Sequence, residues 1–97
     1  MKSRLEKVKE LQDRAKRFAV AIVRFCSRLP QIEAARVIEC QLLRAGTDVA
    51  ANYRAACRAR SAADFISKMS LVLEEADETL FWLELLVEAD IIESRLT

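Results

Sequence analysis

With 97 residues, 53% apolar, 32% charged and only one Gly and one Pro, the chain has room for one domain and too few turn-formers for a β-protein. It has no His, and its three cysteines form no CxxC pair, so it lacks the usual zinc ligand sets and the commonest general base. The net charge of +1 divides unevenly: residues 1–60 carry 14 Lys/Arg against 6 Asp/Glu, and residues 61–97 carry 2 against 9.

The first helix is expected over about 3–28. Ser3 suits the N-cap, and Leu5, Val8, Leu11, Ala15, Phe18, Ala19, Ile22 and Phe25 recur at spacings of three and four, giving one apolar stripe. Glu10–Arg14 and Asp13–Arg17 stand four apart in the favourable order for ion pairing. Leu29-Pro30 ends the helix, because a residue before proline is pushed out of the α region.

A second helix is expected over about 33–58. Val37, Leu42 or Gln41, Ala45, Val49, Asn52 or Tyr53, and Ala56 trace its inner face. Gly46-Thr47-Asp48 is its weak point, since mid-helix Gly costs about 1 kcal/mol relative to Ala. The glycine predicts a close helix–helix contact, a kink, or at the extreme a break. Asn52 falls near the inner face and needs a partner if buried; a bond across the bundle would fix helix register.

Ser61 suits the N-cap of a third helix over about 62–93, with Asp64 as the acidic member of a capping box. Ile66, Met69, Leu73, Ala76, Leu80, Leu83 and Val87 form an unbroken heptad-like seam. A second apolar set, Phe65, Val72, Phe81, Leu85, Leu86 and Ile92, lies off that seam. A helix apolar on more than one side is buried on more than one, which predicts a central helix, an oligomer interface, or both, and with it self-association; Phe81, Trp82, Leu85, Leu86 and Ile92 are the candidate interface.

The start, MKSRLEKVKELQDRAKRF, is too charged for a signal peptide, and no apolar run approaches the roughly 20 residues that span a membrane. Cys26, Cys40 and Cys57 sit among apolar or small residues, as buried free thiols do; even beside Arg58, Cys57 reads as inert. A cytoplasmic location and no membrane partner are expected.

Arg44, Arg54, Arg58, Arg60 and Lys68 cluster around the joint between the second and third helices. Such cations could grip successive phosphates of RNA or DNA, with Tyr53 stacking on a base. The other reading is a solvated basic face that pairs with Glu74, Glu75 or Glu78. Lys2, Arg4, Lys7 and Lys9 make a second strip with the same two readings. The carboxylates of the third helix lack the Glu-x-x-His pattern of a bundle metal site. No nucleophile–base pair, phosphate loop or cofactor motif is present. The residues therefore point to a non-enzymatic protein, nucleic-acid-binding or a protein–protein scaffold.

The blocks QLLRAGTDVAANYRAA (residues 41–56), RARSAADF (58–65) and EEADETLFWLEL (74–85) in combination resemble the "four helix bundle protein" family first recognised in bacterial ribosomal RNA intervening sequences. The resemblance runs from about Leu29 to Ala89. It implies an up-and-down antiparallel four-helix bundle, commonly assembled as a ring-shaped homopentamer. It also implies kinship with the accessory protein of diversity-generating retroelements, which binds nucleic acid and a reverse transcriptase. Most members have no assigned activity. The sequence departs from the family pattern at Gly46, and it ends before the expected fourth helix, so three long helices are expected.

Overall fold

Two serines start two of the three helices. A computed structural model describes residues 1–93, which form α1 (Arg4–Cys26), α2 (Glu33–Ala56) and α3 (Ala62–Glu88), with no strand among the described residues. Ser3 caps α1, its hydroxyl accepting from the Glu6 N–H. Ser61 caps α3 by accepting from the Asp64 N–H at 3.0 Å. Asp64 answers as in a capping box, but its carboxylate takes the N–H of Arg60, one residue before the cap. The carboxyl of Asp64 is held below the usual carboxylate range, first by the hydrogen bond from Lys68 and then by that Arg60 N–H.

The helices run antiparallel. Ile22 of α1 meets Gly46 of α2, while Arg44 reaches Glu75 and Glu78 and Val49 lies beside Val72 of α3. α2 is the central helix; α1 and α3 both pack on it and barely touch each other. α2 is unbroken through Gly46. A Cβ at this position would stand 2.8 Å and 2.9 Å from Cγ2 and Cγ1 of Ile22. Gly46 is thus a close-approach residue, and the break is ruled out.

The enclosed core is small and sits at one end. Ile22, Cys26, Leu29, Ile38, Leu42 and Leu86 form it, with Phe25, Trp82, Leu83, Leu85, Ile91 and Ile92 packed around them. Leu29 enters this core from the turn before Pro30. Cys26 is buried there, and burial, with a smaller push from the charge of Glu39, raises its thiol to about 11. Cys40 is exposed and Cys57 half-buried, so burial of all three thiols is corrected.

α3 ends five residues earlier than expected. Asp90 adopts a positive φ of 59°, the Ile91 N–H bonds to the Leu86 carbonyl and the Asp90 N–H to that of Val87. This is a Schellman turn, and it folds Ile91 and Ile92 back onto the core. Residues 94–97 lie outside the described residues.

The two apolar stripes of α3 divide between inside and outside, and α2, not α3, is the central helix. Much of the heptad seam lies outside: Ile66, Leu73 and Leu80 are 64%, 68% and 53% exposed, while Leu83 packs against the core. Val72, Thr79 and Leu86 face inward instead, and Thr79 satisfies its hydroxyl by donating to the Glu75 carbonyl at 2.7 Å. Two apolar stripes were present, and only tertiary packing selects between them. In α2, likewise, Ile38 is buried and Val37 exposed. Asn52 is half-exposed and makes no side-chain hydrogen bond among the described residues, so it fixes no register.

Candidate nucleic-acid interface

α1 contributes its cations unevenly. Lys2 pairs with Glu10, and Lys9 stands 3.9 Å from Asp13. These contacts replace the expected Glu10–Arg14 and Asp13–Arg17 pairs, and they leave Arg14 and Arg17 without a carboxylate partner among the described residues.

The five candidate cations divide into two groups. Arg44 bridges to α3: it bonds Glu75 at 3.0 Å and Glu78 more closely, with Asp48 at 3.5 Å on its own helix. The Glu78 hydrogen bond, followed by the charges of Glu78 and Glu75, holds its guanidinium still more firmly protonated. Lys68 pairs with Asp64 at 2.7 Å. Both cations are already neutralised by acids of α3. Arg54, Arg58 and Arg60 have no ion pair among the described residues; α2 ends at Ala56, two residues short of the expected end, so Arg58 lies in the turn beyond it and shares no helix face with Arg54.

The structure adds a residue that sequence spacing could not supply. Arg54 lines a shallow recess of about 120 Å³ together with Gln12 and Lys16 of α1, floored by Ala50 and Ala51. Lys16 is also unpaired among the described residues. Two small alanines keep the floor low, so two cations and one amide from neighbouring helices converge on one concavity. The arrangement suits an anion that takes hydrogen bonds and charge together, such as a backbone phosphate.

Tyr53 is not on this flank. With Leu11, Arg14, Ala15, Val49 and Val72 it lines the opposite side of the α1–α2 seam. Burial, and then a hydrogen bond with Cys57, raise its hydroxyl pKa. A base-stacking role for Tyr53 beside Arg54 is therefore corrected: it is a groove residue.

The candidate interface set also divides. Phe81 is 52% exposed and packs edge-on against Trp82, ring centroids 4.9 Å apart. Trp82, Leu85 and Ile92 are half-buried against the core. Leu86 is fully enclosed, because α2 covers that side of α3, so it is a core residue and no surface. The Trp82 indole N–H is buried without a hydrogen-bond partner among the described residues.

Among the described residues no three His, Cys, Asp or Glu side chains converge as a metal site, and no helix is long and apolar enough to cross a membrane.

None of the curated proteins compared matches the chain. A solved structure does: a protein of unknown function from the S23 ribosomal protein family of Bacteroides thetaiotaomicron, 40% identical, with a TM-score of 0.84 over 93% of this chain and 80% of that one. The family model for 23S rRNA-intervening sequence protein matches residues 7–96, a wider span than the motif blocks cover. The chain belongs to the 23S rRNA-intervening sequence protein family.

Proposed function

We propose that the chain is a non-enzymatic, self-assembling helical bundle that binds nucleic acid phosphates through the α1–α2 flank. The observation that carries this reading is the recess where unpaired Lys16 and Arg54 converge, with Arg58 in the turn that follows α2. Acids that would neutralise cations belong mainly to α3, and three of them, Asp64, Glu75 and Glu78, are spent on Arg44 and Lys68. The basic half of the sequence thus keeps its charge on the side away from the acidic half. The family's name makes RNA the first probe. The open apolar side of α1 and α3 supports self-assembly, and unlinked cysteines suit a cytoplasmic setting.

The test is anisotropy of a labelled structured RNA, and of a DNA of matched length, titrated with the whole chain and with Lys16→Glu/Arg54→Glu. Binding that the double reversal abolishes supports the reading, and the two probes decide between RNA and DNA. Absence of binding to both at low salt leaves the chain as a protein–protein scaffold.

A further inference from the structure

The cationic stretch of the α1–α2 flank has an end. Beyond the recess of Lys16 and Arg54, the next positions on the same two helix faces are Val20 and Val23 of α1 and Thr47 and Leu43 of α2. Val20, Val23 and Leu43 are exposed, so a strand laid along the flank in that direction meets apolar surface. In the other direction α2 ends at Ala56, and Arg58 and Arg60 follow before α3, neither in an ion pair among the described residues. The unpaired cations of the recess thus continue toward the turn and not along the helices.

The recess itself is matched to a particular anion. Lys16 and Arg54 bring two positive charges to a space of about 120 Å³, and Gln12 adds an amide. The carboxylates nearest to them in sequence are engaged elsewhere: Asp13 stands 3.9 Å from Lys9, and Asp48 stands 3.5 Å from Arg44. An internal phosphodiester has a single negative charge and two free oxygens. A phosphomonoester carries about 1.5 to 2 negative charges at pH 7 and has three strong acceptor oxygens. Ammonium, guanidinium and amide can donate to all three, and two cations balance the dianion.

We propose that the recess seats the terminal phosphate of an RNA strand, with the phosphates that follow running toward Arg58 and Arg60. A strand end suits this flank better than an internal stretch, because it fills a dianion site and needs further cations on one side alone. The proposal rests on the phosphate-binding reading above and narrows it from any backbone phosphate to a strand end.

One internally labelled single-stranded RNA is made with a 5′-phosphate, with a 3′-phosphate, or with hydroxyls at both ends. Anisotropy with the whole chain, at low and at moderate salt, gives the three affinities. At least one phosphorylated form is expected to bind about tenfold or more tighter than the hydroxyl form, as charge-assisted hydrogen bonds added at one site would give; the other form shows which end is held. Lys16→Gln/Arg54→Gln is expected to erase that ratio, whereas Arg58→Gln weakens all three RNAs alike and keeps it. All three substituted side chains are exposed, and circular dichroism checks that the variants keep their helices. Equal affinity for the three RNAs, lowered alike by the double variant, overturns this inference and leaves the recess a site for internal phosphates. A ratio that the double variant keeps overturns the placement in the recess. Binding of none of the three, even at low salt, overturns the phosphate-binding reading together with this inference.

Discussion

Gly46→Ala puts the close contact of α1 with α2 to a quantitative test. On an isolated helix the change would stabilise by about 1 kcal/mol, the propensity difference between Gly and Ala. Here the new Cβ would meet Ile22 Cγ2 at 2.8 Å, Cγ1 at 2.9 Å and Cβ at 3.1 Å. Those atoms lie at the root of a β-branched side chain held to one rotamer in a helix, so they cannot swing aside and α1 must move from α2. Overpacking of this kind costs about 1–3 kcal/mol. Set against the propensity gain, the variant is expected to gain nothing and to lose up to about 2 kcal/mol, or up to roughly 16 °C in Tm. Urea unfolding followed by far-ultraviolet circular dichroism measures it, at one fixed protein concentration because self-association adds to apparent stability. Ile22→Ala alone is expected to cost about 2–5 kcal/mol; combined with Gly46→Ala it costs less than the sum, because both clashing Cγ atoms are gone. A Gly46→Ala variant more stable than the wild type would refute the close approach.

Other outcomes follow from the same packing. Asp90→Gly relieves a left-handed residue at the end of α3 and is expected to stabilise by about 1 kcal/mol, read from the same unfolding curves. Leu86→Ala opens a cavity in the core and costs about 2–5 kcal/mol, whereas Leu80→Ala, on a side chain 53% exposed, changes stability little. A thiol reagent at mild pH modifies Cys40 first and Cys26 last, as peptide mapping over time would show. The Cys26 thiol lies near 11 in the folded chain, raised from 9.0, so the folded state holds its proton longer. Its contribution to stability is full below about 9 and is lost as pH rises toward 11; Cys26→Ala removes that part of the alkaline decline.

Three helices and both serine caps can be read from residue spacing and local chemistry, because a cap is a three-residue event and a helix stripe needs only periodicity. The inward side of α3 cannot be read so. Ile66–Leu73–Leu80 and Val72–Thr79–Leu86 are rival stripes on one cylinder, and the cleaner heptad is the one left outside. The difference depends on which stripe α2 covers, a long-range fact. The Schellman turn at Asp90 was missed because Asp is a weaker signal than Gly for a left-handed residue. In the candidate site, helical spacing links Arg54 and Arg58 in the sequence, but α2 stops at Ala56 and leaves Arg58 in the turn. Lys16 reaches Arg54 only through the antiparallel α1–α2 pairing, 38 positions away in sequence. Arg44 misled for the converse reason: its acidic partners, Glu75 and Glu78, lie on another helix.

The most direct test of the phosphate-binding flank compares two pairs of substitutions in one salt series. Lys16→Gln/Arg54→Gln removes the unpaired cations of the recess, and Arg44→Gln/Lys68→Gln removes the cations already paired with α3. RNA affinity is measured by anisotropy at each salt concentration. The account predicts that the first pair lowers the magnitude of the log–log salt slope by about 1.5–2, two lost phosphate contacts, while the second pair leaves slope and affinity near wild type. Equal losses from both pairs, or a larger loss from Arg44 and Lys68, would contradict it and place the contact at the joint between α2 and α3.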